Sequence, residues 1–515
     1  MATSDNVLYQ KAMETQDLPS KPFLKKELLY VIDNNGSNSY ERNQIEFETN
    51  SLSSNSNWAL FSEAFITIPF LATVERTVGH IDAAAGATQL HMKSGIPLID
   101  KFSWSYNNDP VIAERDQLSG LVSFHQNTEF SQDDLTLKGD SRGVHKDSHV
   151  WTFGAEGLQN DMTQLVAEPQ FYVDTGGKAT VLPTDVAGSS GFDTYQLVGD
   201  KHIYRKDVKV FLKDLPGFKE FPMTRSGSVK ITCRLNQGSV VRTRVEAVAA
   251  VGGNPAVPTH VTVQNTFKGS SCPILITSAF PGALACVETI KFGVGLVDGL
   301  SSEKKSCRLY IPSVTLEPSA ELAYLAQGEK SMVYEDYLFL PQRNVAKGQF
   351  NFNLTNGVKR VKAILLIPQL SSISNGVRPD NGVRPEESVR YGSPACCSPC
   401  SIVDYNVEIA GRDVYSKPMQ FRYENFQHEL AQGRLGVNAG LEDGLCSGLI
   451  SERDYNNTHF YLYTDLSQKY DYDELTNVNI AIRGRITSPL ALDMYCYVIY
   501  EKTLAIDITT GAKLV

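Results

Sequence analysis

The segment Gly139–Gly143 (GDSRG) has the G-x-S-x-G spacing of serine hydrolases, and His145 and His149 follow it closely. In such enzymes the serine needs a strand before it and a helix after it, which hold it on a strained turn beside an oxyanion hole. The flanking residues here, LTLK and VHKDSHVW, predict no helix. A catalytic triad is assembled by the fold, so two histidines nearby in sequence do not supply one. We therefore expect no hydrolase site.

The segment Cys396–Cys400 (CCSPC) contains a C-x-x-C pair. A structural zinc site needs four ligands, usually from two such pairs. No second pair occurs in this half of the chain, where Cys446, His428 and His459 stand apart from one another. A thioredoxin-like use would need a strand-helix-strand context that the surrounding sequence does not predict. The segment is therefore interpreted as the tip of a loop built from small residues.

Three other groups of residues could bind a ligand. Gly293–Gly299 (GVGLVDG) is rich in glycine but lacks the dinucleotide spacing, and the sequence contains neither a Walker A motif nor H-E-x-x-H. The carboxylate pairs Glu335–Asp336 and Asp471/Asp473 could help to hold a hard cation, but they fall where solvated loops or strand edges are expected. We therefore expect no catalytic, cofactor-binding or metal-binding residues, no cofactor and no enzyme activity.

The elements that position these residues are predicted to be strands. The chain has 515 residues, which favours two domains, and its hydrophobic fraction of 42% is sufficient for two cores. It contains 23 Tyr and 23 Phe, many of them among Val, Ile and Thr, and these residues favour pleated surfaces. The 38 Gly and 23 Pro supply the turns that many short elements need. The composition predicts an all-β protein.

Charge and cysteine usage narrow the class of partner. The formal net charge is −10, whereas coating a nucleic acid requires Lys and Arg to neutralise phosphates. The first 30 residues hold four Lys against four acidic residues and are neutral, so we expect no sequence-specific contact with nucleic acid. The nine cysteines, without a recognisable signal peptide, predict reduced thiols. We also expect no membrane-spanning helix, because no uncharged apolar run approaches about 20 residues.

The second half of the sequence has the clearest strand pattern. In Phe350–Leu354 apolar and polar residues alternate, and Asn356–Gly357 follows as a strong hairpin signal. Apolar spacings of three and four over Pro418–Gln432 predict a helix. About eight strands with long loops suit a jelly roll, while an immunoglobulin-like sandwich stays the alternative. The other predicted strands are Met332–Leu340, Val361–Ile367, Val403–Ile409, Val478–Arg483 and Met494–Ile508.

The first half repeats this pattern with larger insertions. The stretch Ser119–Lys201 is predicted to be a long excursion, and Pro318–Gln327 a short helix that links the halves. We therefore predict an arm at 1–26, a first jelly roll at 27–315, a helical linker at 316–330 and a second jelly roll at 331–515. The predicted strands are Leu28–Ile32, Ile45–Thr49, Ala64–Phe70, Ile99–Trp104, Asp207–Leu212, Val229–Leu235 and Cys307–Ile311.

Several stretches of this sequence are similar to a known family. In the first half they are KVFLKDLPGF from Lys209 and VKITCRLN from Val229. From Cys307 onward they are CRLYIPSVTLEPSAELAYL, GQFNFNLTNGVKRVKAILLIP, VDYNVEIAGRDVYSKPMQFRYENFQHEL and LDMYCYVIYEKTLAIDITTG. Their order resembles the double jelly-roll major capsid proteins of Polinton-like viruses and virophages, in the lineage that includes adenoviruses and tailless membrane-containing phages.

This resemblance implies a structural protein of the virion. Its chains would form homotrimeric, pseudo-hexagonal capsomers that tile an icosahedral shell around a DNA genome. The implied partners are further copies of the chain and minor capsid or penton proteins, with an internal membrane or a host receptor as additional candidates. The long insertions at 119–201 and 375–400 would form outer towers, and the arm at 1–26 would lie inside or between capsomers.

Three alternatives stay open from the sequence. The chain could be a single-jelly-roll capsid protein of a small virus, although that class commonly has a basic amino-terminal arm. It could be a carbohydrate-binding jelly-roll protein, which would expose Trp on its loops, and the three Trp are at positions 58, 104 and 151. It could also be a glycosidase on a β-sandwich, which would need two carboxylates facing a cleft.

Overall fold

The computed structural model describes most of both halves of the chain. The described residues are 23–35, 40, 43–50, 57–78, 89–92, 96–131, 133–134, 137, 139, 151–153, 169–171, 192–198, 201–225, 227–245, 260–266, 273–277, 286–302, 304, 306–326, 328–354, 357–370, 402–435, 448–452, 455, 459–467, 469, 479–487, 491–508 and 512–513.

Strands dominate both halves. In the first half they are β1 Phe23–Ile32, β2 Gln44–Glu48, β3 Trp58–Ala59, β4 Phe65–Val78, β5 Gln89–Met92, β6 Ile99–Tyr106, β7 Asp109–Asp116, β8 Trp151–Phe153, β9 Pro169–Phe171, β10 Thr194–Val198, β11 Lys201–Phe211, β12 Val229–Leu235, β13 Gly238–Val245, β14 His260–Asn265, β15 Ile274–Thr277, β16 Cys286–Val294, β17 Leu296–Val297, β18 Leu300–Ser301 and β19 Arg308–Leu316. In the second half they are β20 Glu329–Val345, β21 Gly348–Asn353, β22 Val361–Leu370, β23 Ile402–Ile409, β24 Arg412–Asp413, β25 Leu462–Asp465, β26 Ile480–Ile486 and β27 Leu492–Asp507.

In the described parts of the chain, helices are few and short. The α-helices are α1 Leu118–Glu129, α2 Pro318–Leu325 and α3 Tyr423–Leu435. Single turns of 3-10 helix lie at Phe61–Glu63, Ile96–Leu98 and Leu212–Asp214.

The second half folds as a sandwich of two four-stranded antiparallel sheets. One sheet has the order β20-β27-β22-β25 and the other has the order β21-β26-β23-β24. If its eight strands are numbered 1 to 8 along the chain, the sheets read 1-8-3-6 and 2-7-4-5. This is the arrangement of a jelly roll, in which the first strand pairs with the last and the second with the next to last. The immunoglobulin-like alternative is therefore wrong.

The first half contains the same arrangement with insertions. Strands β1, β19, β4 and β11 pair in that order, and a second sheet has the order β2-β12-β6-β7. Numbered in the same way, these strands again read 1-8-3-6 and 2-7-4-5. Strands β13, β14 and β16 are additions that extend the first sheet beside β4. Two rolls are present, so the single-jelly-roll alternative is wrong and the predicted all-β fold is confirmed.

Within each roll, the long connections leave from one end. Because all pairings within the two rolls are antiparallel, successive strands alternate in direction, and the connections after positions 1, 3, 5 and 7 share an end. In the first roll the longest connections are 117–200 and 236–307, after positions 5 and 7. In the second roll they are 371–401 and 414–461, after positions 3 and 5. At the opposite end, β6–β7 and β23–β24 are joined by two-residue turns.

Alternation fixes which side of each strand is buried. In β12 the residues Val229, Ile231, Cys233 and Leu235 are buried, and the residues between them are more exposed. This strand coincides with its predicted bounds, and every other predicted strand overlaps an observed one. The predicted helices at Pro318–Gln327 and Pro418–Gln432 correspond to α2 and α3.

The domain bounds given above stay predictions. Strand β1 begins at Phe23, inside the segment predicted as an arm, and β20 begins at Glu329, inside the predicted linker. The stretch from Ser119 to Lys201 was predicted to be a long loop, but it begins with a helix, α1, at Leu118–Glu129.

Candidate functional site at the contact between the two rolls

Helix α1 belongs to the first roll in sequence but packs against the second roll. The Tyr497 hydroxyl on β27 donates a hydrogen bond to the Gln117 carbonyl, with an O–O distance of 3.0 Å. One helical turn further on, a Cβ atom on Gly120 would lie 2.2 Å from the same hydroxyl oxygen. A side chain at position 120 would displace the tyrosine, so this glycine allows the helix to approach the sheet closely.

An aromatic side chain at the middle of α1 completes this contact. The ring of Phe124 stacks on Tyr463 of β25 with a centroid distance of 5.4 Å and meets the edge of Tyr461 at 5.2 Å. It also lies 6.5 Å from Phe426 of α3. Phe124 is fully buried, and aromatic pairs in this geometry stabilise a contact beyond the area that they bury.

The second roll presents an apolar row to α1. The residues Phe339, Tyr497, Leu365 and Tyr463 lie directly opposite one another across β20, β27, β22 and β25. We call these four residues the second row. Tyr497 and Leu365 are fully buried and Tyr463 is 6% exposed. The second row therefore lies on the outer face of its sheet, and its contact with α1 makes it part of the core.

A charged cluster lies beside this apolar contact. The Arg115 guanidinium on β7 donates from Nε to Asp336 Oδ1 at 2.8 Å and from Nη2 to Oδ2 at 2.6 Å. The same Oδ2 accepts from Tyr500 Oη at 2.7 Å and Lys502 Nζ at 2.8 Å. The Asp336 side chain has no exposed surface. Bidentate guanidinium–carboxylate pairs fix orientation as well as distance, so this cluster sets the angle between the rolls.

The electrostatics of Asp336 show that it is charged. Burial alone would raise the pKa of this carboxyl, but hydrogen bonds from Arg115 and Lys502 outweigh that effect and hold the pKa below its ordinary value. The expectation that Glu335–Asp336 is solvated is therefore wrong for Asp336, because its cationic partners come from distant strands. Glu335 pairs with Lys362 at 2.7 Å, and its side chain is 42% exposed.

A second, smaller contact joins the rolls near the linker. Trp58 and Met223 of the first roll form a separate apolar cluster with Ile508, which follows β27. The ring of Tyr324 on α2 meets the edge of Trp58 at 5.2 Å, and its hydroxyl donates to the Met223 carbonyl at 3.1 Å. The α2 linker is therefore packed against the first roll.

The motifs singled out in the sequence are not brought together. Positions 140–143, 145, 149, 396–400, 446, 471 and 473 lie outside the described residues. Gly293–Gly299 spans the end of β16, β17 and the turn into β18, where Asp298 pairs with Lys291 at 2.7 Å and Lys201 at 3.1 Å. Gly299 has φ +77° in this turn, which glycine adopts without strain. The glycine-rich segment is therefore part of a β-hairpin.

Other expected functional groups have structural surroundings. Cys233, Cys307 and Cys496 are unpaired and buried, and burial raises the pKa of each thiol. His428 lies on the exposed side of α3, and His459 lies 6.1 Å from the ring of Tyr461. Within the described part of the chain, no three His, Cys, Asp or Glu side chains are grouped as metal ligands. The same part contains no helix that is long and apolar enough to span a membrane.

Comparison with known proteins places this architecture. The sequence matches no family model and no curated protein. A structure of the Sputnik virophage matches with a TM-score of 0.52 at 12% identity, over 96% of this chain and 89% of that chain. This match spans both rolls. The fold is a double jelly roll.

Two solved capsid proteins are also similar to this double jelly roll. The mavirus major capsid protein matches with a TM-score of 0.47 at 10% identity, over 96% of this chain and 90% of that chain. The Faustovirus major capsid protein matches with a TM-score of 0.45 at 11% identity, over 97% of this chain and 96% of that chain.

Of the residues that join the double jelly roll, sequence reasoning singled out Asp336 but identified neither its partners nor the role of α1. Helix α1 contains Gly, Ser, Thr and Asn, which are weak helix formers, so its pattern did not predict a helix. Arg115 and Asp336 are separated by 221 residues. The sequence feature that could have predicted this contact is the density of aromatic residues in β20 and β27, which indicates that both faces of the sheet are buried.

Proposed function

We propose that this chain is the major capsid protein of a virus and is located in the virion. One observation carries the proposal: the strand order 1-8-3-6 and 2-7-4-5 occurs twice in one chain, and the two copies are locked together. Jelly rolls are found in viral capsid domains, and two of them joined in one chain supply a rigid unit of the size that a shell needs. Because the rolls are fixed at two contacts, the chain behaves as a single building block. We propose no enzyme activity.

In this proposal three chains form a homotrimeric capsomer. Two rolls per chain give six similar rolls around a threefold axis, and such a pseudo-hexagonal unit tiles the facets of an icosahedral shell around a DNA genome. The sheets would stand perpendicular to the shell. The shared end of the long connections supports an outward position for them, as towers above the facet.

The remaining contacts follow from the same arrangement. The partners are neighbouring capsomers and minor capsid or penton proteins, with an internal membrane or a host receptor as further candidates. A net charge of −10 is unsuited to sequence-specific contact with DNA, so another component would neutralise the genome. The segment 1–26 is proposed as the inner or inter-capsomer arm.

The test is the mass of the chain expressed alone. Light scattering after size-exclusion chromatography should give about 170 kDa, three times the 56.8 kDa chain. Electron micrographs of the same fraction should show particles with a hexagonal outline. A stable 56.8 kDa monomer that binds glycans would contradict the proposal and favour a carbohydrate-binding jelly-roll protein.

A further inference from the structure

The first roll carries an apolar row at the same place as the second row. Tyr30, Tyr310, Phe65 and Phe211 lie directly opposite one another across β1, β19, β4 and β11, which hold positions 1, 8, 3 and 6. We call these four residues the first row. Consecutive ring centroids are 5.9, 5.1 and 5.5 Å apart, so the rings form one continuous strip across the sheet.

This strip is open to solvent. Tyr30 is 54% exposed, and the same side of β1 presents Leu28 at 53% and Ile32 at 47%. Tyr310, Phe65 and Phe211 are each partly exposed. An exposed, contiguous apolar patch of this kind on a soluble protein marks a site of contact.

We infer that the first row is the docking surface for the second roll of another copy of this chain, with α3 of that copy lying where α1 lies on the second row. The inference rests on the proposed capsid function and names the surface through which copies associate. Within one chain, the helix after position 5 of the first roll covers the row of the second roll. The second roll has a helix, α3, in its own connection after position 5, and among the described sheets the first row is the other aromatic row across positions 1, 8, 3 and 6.

The exposed side of α3 suits this surface. Arg308 and Lys209 lie on the same face of the sheet as the first row, and Arg308 stands over the Tyr30 ring at 5.3 Å. On α3, Glu424 and His428 are exposed while Phe426 packs inward. A carboxylate on the arriving helix would therefore meet a basic rim around an apolar centre, which is the usual composition of an interface.

The geometry also explains how association would stop. A contact between the first roll of one copy and the second roll of the next is head-to-tail, and such contacts form a closed ring when the rotation permits. If the contact between chains repeats the contact within a chain, and each contact turns by one sixth of a full rotation, six rolls are arranged alternately and three copies close the ring. No first row remains exposed in that ring.

The test replaces the exposed residues of the first row. The double variant Leu28→Glu, Tyr30→Glu should weaken self-association by about 100-fold, because it places charges in an apolar contact and removes an aromatic anchor. The matched control is Gln349→Glu, Asn351→Glu. It alters two exposed positions on β21, the edge strand of the sheet β21-β26-β23-β24, which carries neither row. At a concentration where the unchanged chain and the control are trimers, the row variant should be a monomer. Circular dichroism should show the same β content for all three.

A photo-crosslink then identifies the occupant without relying on a disruptive variant. A photoreactive phenylalanine analogue at position 30, in a mixture of isotopically light and heavy chains, should crosslink between chains to α3. A row variant that stays trimeric, or crosslinks from position 30 to the first roll of another copy, would overturn the inference while the capsid proposal stands. If the unchanged chain is a monomer, the capsid proposal itself fails.

Discussion

The two apolar rows occupy equivalent positions in the two rolls, yet three of the four residues of the second row are buried and none of the first row is. Both cross positions 1, 8, 3 and 6 of a sheet, and both consist of aromatic residues with one aliphatic exception. At position 8, Tyr497 of the second roll is fully buried, whereas Tyr310 of the first roll is partly exposed. At position 1, Phe339 is partly buried, whereas Tyr30 is 54% exposed. Since the fold position is the same, the difference lies in the neighbour that each row meets.

This comparison shows that an aromatic row on the outer face of a jelly-roll sheet can be buried by a helix from the neighbouring roll. The second roll receives its partner from its own chain, through α1. The other sheet of each roll presents a different face to solvent: Lys230 pairs with Glu46 in the first roll, and Arg485 pairs with Asp404 in the second. Those charged faces need no cover, because water already solvates them.

Removing the cover from the second row should have the largest effect. Phe124→Ala deletes a fully buried ring that touches both β25 and α3, and such truncations cost about 4 kcal/mol of unfolding free energy. Urea denaturation followed by tyrosine fluorescence measures this. Leu322→Ala is the control, since Leu322 is also on a helix but is 70% exposed, and it should cost less than about 0.5 kcal/mol. Equal losses would mean that α1 does not hold the rolls together.

The charged cluster gives a pH-dependent way to loosen the same contact. Asp336→Asn leaves Arg115 and Lys502 without their buried counter-charge and should cost about 3 kcal/mol at pH 7. Because the pKa of Asp336 is lowered by folding, its contribution is present above the unfolded value of about 3.9 and is lost as the pH falls through the folded value.

Denaturation curves between pH 3 and pH 7 measure this difference. The gap between the unchanged chain and Asp336→Asn should be constant from about pH 5 to pH 7 and should narrow below about pH 4. Asp404→Asn is the control, because the Arg485–Asp404 pair is more than half exposed on both sides and should contribute less than about 1 kcal/mol. A gap that widens in acid would contradict the assignment of a charged Asp336.

The smallest effect is expected at a buried aspartate at the end of β25, which among the described residues has no cationic partner like those of Asp336. Burial raises the pKa of Asp465, so folding disfavours its charged form. Ser467 donates to both of its oxygens at 3.0 Å. Asp465→Asn keeps the shape and removes the charge, and should change the unfolding free energy at pH 7 by less than about 1 kcal/mol. A loss as large as that of Asp336→Asn would show that the charge at Asp465 stabilises the fold.

The difference between the rows also marks the limit of sequence reasoning. Alternation within a strand identifies its buried side, and it placed Val229–Leu235 correctly. Which residues of different strands become neighbours depends on register, which a single sequence does not contain. Tyr30 and Tyr310 are 280 positions apart in numbering but directly opposite in the sheet. The rows were therefore invisible until the strands were paired.

Helix α1 shows a second limit. Its residues have weak helical propensity, and Gly120 is among them because Tyr497 leaves no room for a side chain. Such a helix is stabilised by tertiary packing rather than by its own sequence. The same holds for the Arg115–Asp336 pair, since each residue alone resembles an ordinary surface charge. Resemblance to a family supplied the overall fold, but pairing between distant residues supplied the contact.

The position of α1 in the chain has a consequence for synthesis. Gln117 and its partner Tyr497 are separated by 380 residues, so α1 leaves the ribosome long before the sheet against which it packs. At about 5–20 residues per second this interval is roughly 20–80 s. During that time Phe124 has no second row to pack against. A chain that ends before β27 never acquires one, so a prematurely terminated product carries an exposed hydrophobic mark that a chaperone or protease can recognise.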